Sequence, residues 1–100
     1  MKIMIEPVLA AHMEKTGKRV ISVEVAQSSN SDIDVTELYV HLMRPAEAER
    51  CKRLRHPRVL TIPEGEVLLP NYRLEYDETV TFALRSRLIF RWVTQSGIRL

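Results

Sequence analysis

Glycine is nearly missing from this sequence: three residues in 100, at positions 17, 65 and 97. A phosphate-cradling loop needs several glycines close together, so no nucleotide-binding loop of that kind can be built here. Cysteine is scarcer still. The single Cys51 excludes an internal disulfide and any paired-cysteine metal site. Long apolar runs are also lacking, since none approaches the ~20 residues of a transmembrane helix. The opening Met1-Lys2-Ile3-Met4-Ile5-Glu6-Pro7 meets an acid and a proline too early for a secretory signal. These absences predict a protein that is neither exported nor embedded in a membrane, located in the cytoplasm, with a virion as the other setting considered. Histidines 12, 41 and 56 are widely spaced, and no His-x-x-His or carboxylate cluster marks a metal. No cofactor is expected.

What is present describes a folding chain. With 45% hydrophobic and 28% charged residues, 100 residues suffice for a single domain with its own core. Net charge is +2, unevenly spread. Residues 1–49 carry five bases against eight acids, a balance of −3, whereas 50–100 carry ten against five, a balance of +5. Such asymmetry steers anionic partners or lets copies of one chain associate, and is equally met on solvated surfaces.

Local signals predict an α+β fold. Ile3 and Ile5 suit a short first strand. Pro7 fits the first turn of a helix over 7–16, and Gly17 its end. Arg19 to Ala26 alternates as a half-buried strand, and Gln27 to Asp32 reads as a polar loop. Residues 33–43 read as a strand whose apolar face slips near Thr36-Glu37, implying a bulge, with a helix over 34–43 as the competing assignment. Pro45 starts a second helix, polar and superficial, that Pro57 closes by about residue 55. Strands at 59–62 and 66–69 flank a Glu64-Gly65 turn, followed by a strand over 72–76 and a turn at Asp77-Glu78. Strand and helix order over residues 2–62 matches the ferredoxin-like split-βαβ pattern; a small β-barrel or sandwich is the alternative. The C-terminal half should be mainly antiparallel.

Residues 79–94 contain no Gly, Pro, Asn or Asp and alternate without a break. A tight hairpin at Arg85-Ser86-Arg87 would need left-handed residues. The expectation is therefore one long strand or β-arm, bent near Ser86 and roughly 50 Å long. Phe82, Leu84, Leu88, Phe90 and Trp92 would share its buried face. Gln95-Ser96-Gly97 would then turn, and Ile98 would begin a return strand.

Two basic features stand out. Arg50, Lys52, Arg53, Arg55 and Arg58 cluster at the end of the second helix, where cations also favour the helix dipole and pair with Glu47 and Glu49. Arg85, Arg87 and Arg91 form a ladder with steps of ~6.6 Å between alternate residues, comparable to successive phosphates. On a single strand Phe90 and Trp92 would lie opposite it, which weakens a base-stacking reading. Cys51 has cationic neighbours but no catalytic context, and packing accounts for it. The sequence points first to a non-enzymatic binding or assembly protein, with a homo-oligomer or another protein as partner; a component of a larger particle, viral or phage-like, is compatible. A nucleic-acid-binding module using residues 50–58 and the arginine ladder comes second. An enzyme comes third, for want of an acid pair or an activated nucleophile.

Overall fold

The computed structural model describes the backbone of residues 1–30 and 33–100, and the side chains of 1–27 and 36–100. Its elements run β1 (Lys2–Ile5), α1 (Pro7–Thr16), β2 (Val20–Asn30), β3 (Ile33–Met43), α2 (Pro45–Arg55), β4 (Arg58–Ile62), β5 (Gly65–Leu69), β6 (Glu75–Arg87) and β7 (Phe90–Arg99). This is an α+β fold with two short helices and two mixed sheets. One sheet has the order β1-β6-β7, the other β3-β2-β5-β4. Neighbouring strands are antiparallel except β1 with β6 and β2 with β5.

Both helices lie where proline permits a first turn without a missing bond. Gly17 follows α1, its N–H bonded to Met13 O. The apolar side of α1 delivers Leu9 and Met13 to a core shared by the two sheets: Ile21 and Val23 of β2, Val67 and Leu69 of β5, Val80 and Phe82 of β6, and Ile98 of β7. Alternation on β2 sends the other residues outward, where Val20 and Leu68 meet Ala48 of α2, with Met43 and Cys51 packed alongside. Central β5 is therefore apolar on both faces.

The ferredoxin-like order does not hold, because β1 sits in a different sheet from β2, β3 and β4. Connection β1-α1-β2 crosses from one sheet to the other. Residues 27–30 belong to β2 rather than a loop, with Asn30 opposite Ile33; Ser31 and Asp32 of the expected loop lie outside the described residues. No bulge occurs at Thr36-Glu37: Gln27↔Thr36 and Ala26↔Glu37 continue the register unbroken. The helical alternative for 34–43 falls with it.

The β4–β5 turn is Pro63-Glu64, one residue earlier than expected, with Ile62 opposite Gly65. A Cβ on Gly65 would stand 1.8 Å from Arg19 O, the carbonyl that accepts the Glu66 N–H at 3.0 Å. Only glycine lets β5 come this close to the start of β2. Tyr72–Leu74 precede β6, which begins at Glu75. Asp77-Glu78 is no turn but part of an irregular stretch between the pairs Tyr76↔Ile98 and Thr81↔Ser96. Gln95-Ser96-Gly97 is not a turn either. It lies within β7, where a Cβ on Gly97 would come within 2.6 Å of Thr79 O.

The largest departure is the C-terminal arm. Instead of one long strand, residues 75–99 form a hairpin that turns at Leu88-Ile89, with Arg87 opposite Phe90. Leu88 itself takes the left-handed conformation, φ 57, that the sequence offers no glycine or asparagine to supply.

Candidate functional site

The basic end of α2 is largely tied down. Lys52 donates to Glu66 at 2.9 Å and Glu49 at 3.1 Å, and these hydrogen bonds, that to Glu66 foremost, hold its ammonium above the usual lysine pKa. Arg55 pairs with Glu24, whose other oxygen lies 3.8 Å from His41 Nδ1. Arg50, Arg53 and Arg58 are exposed and make no ion pair among the described residues. Asn71 latches the helix from outside, donating to the carbonyls of Arg55 (3.3 Å) and His56 (2.6 Å) and so satisfying acceptors that the last turn leaves orphaned.

Beside this end lies a cleft of about 450 Å³ lined by Ser22, Cys51, Arg55, Leu68, Asn71 and Tyr72, among others. Ser22 is buried and its Oγ has no hydrogen-bond partner. The volume suits a small molecule. Among the described residues that line it there is no histidine, and its one carboxylate, Glu24, is engaged by Arg55.

The hairpin redistributes the arginine ladder. Residues opposite one another in an antiparallel pair share a face. Arg85 is opposite Trp92 and Arg87 opposite Phe90, whereas Arg91 is opposite Ser86. Arg91 therefore leaves the ladder, and the two aromatics join Arg85 and Arg87 on one face. Arg85 lies 3.8 Å from Glu6. Burial of the expected apolar face also stops partway: Phe82 is fully buried and Leu84 half-buried, but Leu88 is 92% exposed, Ile89 89%, Phe90 66% and Trp92 45%. Other large exposed side chains, such as Val8 and Leu54, occur singly. Here four fall within five residues at the turn of the hairpin.

A second cluster gives no sign of itself in the sequence. His12 of α1, Lys18 of the following link, His41 of β3 and Arg91 of β7 line a cleft of about 300 Å³ together with Trp92 and Val93. No carboxylate is among its described lining residues, although Glu24 lies 3.8 Å from His41 Nδ1. Positions 12, 18, 41 and 91 share no spacing rule; the approach of β3 to β7 brings His41 towards Arg91, and α1 and the link after it supply His12 and Lys18. Among the described residues, no group of three His, Cys, Asp or Glu side chains could hold a metal ion, and no helix is long and apolar enough to cross a membrane. The chain matches no known family, no curated protein and no solved structure.

Proposed function

We propose that this chain is a non-enzymatic binding or assembly protein whose contact element is the free end of the β6–β7 hairpin. The observation that carries the reading is the exposure of Leu88, Ile89, Phe90 and Trp92 together. Apolar surface in water costs roughly 25 cal/mol per Å² relative to burial, and adjacent large side chains left uncovered mark a contact site rather than ordinary surface. In solution with nothing else supplied, such an end covers itself against a second copy. The association is weak, because four side chains offer far less than the ~800 Å² per partner of a standard interface. Sedimentation velocity tests this: apparent mass should rise with concentration over tens to hundreds of micromolar, and the double variant Leu88→Ser/Ile89→Ser should stay monomeric. A parent chain that remains monomeric throughout, or a double variant that associates equally, overturns the role of this end.

A nucleic-acid module is the second reading, and one observation favours it. The hairpin register places Trp92 beside Arg85 and Phe90 beside Arg87, the alternation of cation and aromatic that single-strand binding uses. Against it, Lys52 and Arg55 of the other basic feature already have carboxylate partners. Titration with labelled single-stranded and duplex oligonucleotides at low salt decides the matter: binding should weaken steeply as salt rises, and no binding at tens of micromolar protein overturns it.

A further inference from the structure

We infer that the hairpin end inserts into the interface of an anionic lipid bilayer, with a lipid phosphate drawn into the neighbouring basic cleft. This rests on the reading of the hairpin end as the contact element and names what it contacts.

Three observations converge on a lipid surface. The first is depth. Leu88 and Ile89 form the tip, Arg87 and Phe90 the first pair behind it, Ser86 and Arg91 the second, and Arg85 and Trp92 the third. At about 3.3 Å per residue, Trp92 trails the first pair by roughly 7 Å, close to the ~5–10 Å to which interfacial segments sink. Apolar side chains thus lead and the tryptophan sits at headgroup level, the depth such amphipathic rings prefer. Long arginine side chains can extend back from the acyl boundary to the phosphates.

The second observation is charge. Residues 79–100 carry no acid, and Arg85, Arg87 and Arg91 surround the tip; among the described residues Arg85 alone of the three has a carboxylate near it, Glu6 at 3.8 Å. The cleft behind it adds the Lys18 ammonium to Arg91, with the imidazoles of His12 and His41 as hydrogen-bonding groups; no carboxylate is among its described lining residues, and Glu24 approaches His41 Nδ1 to 3.8 Å. An anionic surface complements this set, and a basic pocket beside a buried tip is a way to seat a headgroup phosphate. The third is shape. A two-residue hairpin turn with four exposed apolar side chains offers a protein partner too little area for a stable complex, whereas a bilayer requires no preformed slot. The left-handed Leu88 also points away from a purely structural turn: glycine would serve folding better at that position, and an exposed leucine has no folding role there.

Trp92 is the only tryptophan in the chain, so its fluorescence reports on this end alone. The protein is titrated with vesicles of phosphatidylcholine, with and without phosphatidylserine. Expected are a blue shift and co-sedimentation with the anionic vesicles, weakening as salt rises, and little response to the neutral ones. Leu88→Ser/Ile89→Ser should weaken binding at least a hundredfold. Arg91→Ala should weaken it roughly fivefold. Circular dichroism of each variant confirms that it is folded, and the parent's contrast between vesicles and its salt dependence stand without any variant. Inorganic phosphate alone should not shift the emission; if it does so as strongly as vesicles, the cleft serves a soluble phosphate and insertion is overturned. No response to anionic vesicles, together with self-association that needs Leu88 and Ile89, overturns the lipid partner while the contact element survives. No response in either experiment overturns both. A shift with single-stranded oligonucleotides but not with vesicles transfers the surface to nucleic acid and overturns the lipid assignment.

Discussion

Leu88 holds a backbone conformation, φ 57, that costs an L-residue with a Cβ about 1–2 kcal/mol. Replacing it by glycine removes that cost but adds roughly 0.5–1 kcal/mol of flexibility in the unfolded chain. Leu88→Gly should therefore stabilise the fold by about 0.5–1 kcal/mol in urea unfolding. A loss instead would show that the leucine side chain contributes to folding despite its exposure. Phe82 and Phe90 make a contrasting pair. Alternation along an unbroken strand gives them one environment, but Phe82 is completely buried and Phe90 66% exposed. Phe82→Ala should cost ~3–5 kcal/mol, whereas Phe90→Ala should fall within about 0.5 kcal/mol of the parent. Equal losses for the two would mean that the hairpin end is packed in solution.

The elements best read from sequence are those whose ends are written locally. Pro7 and Gly17 bracket α1, Pro45 and Pro57 bracket α2, and both helices occupy the expected residues. The β6–β7 hairpin was illegible for a geometric reason. Side chains alternate along a strand, so Arg87 and Phe90, three apart, fall on opposite faces of an unbroken one; a two-residue turn places them opposite each other on the same face. Everything beyond Ile89 thereby changes side without any interruption in the hydrophobic pattern. No glycine, asparagine or aspartate announced the turn, because leucine takes the left-handed position. The basic cleft was hidden for another reason: it is built by the approach of distant strands.

At the same scale, α2 is held by side chains rather than by a broad apolar stripe, with Ala48 its only fully buried residue. Asn71→Ala removes the latch on its last carbonyls and should cost about 1 kcal/mol. The Lys52 pairs also set a pH dependence. Their hydrogen bonds raise the folded-state pKa of Lys52 above its unfolded value. The stability they contribute is therefore complete at neutral pH and is lost as pH rises through the alkaline range above about 10. Lys52→Met should flatten that alkaline decline in a stability-versus-pH series; an unchanged slope would assign the decline to other groups.

On the scale of the whole molecule, two parallel pairings join parts of the chain that are far apart in order. Lys2–Ile5 lie against Thr79–Phe82, and Val20–Ser22 against Glu66–Leu68. Non-local pairing of this kind slows folding, to milliseconds or seconds for chains of similar size. It also sets an order of events during synthesis. Lys2–Ile5 emerge well before the strand they join, so Ile3 and Ile5 lack that cover until Phe82 has been made. Stalled nascent chains that end before Thr79 should remain open to protease, and chains that extend beyond Arg99 should become resistant. Protection at the shorter length would mean that the four-stranded sheet closes its own core. Otherwise β1 waits uncovered until the β6–β7 hairpin has been made, an interval in which its apolar side chains are open to other contacts.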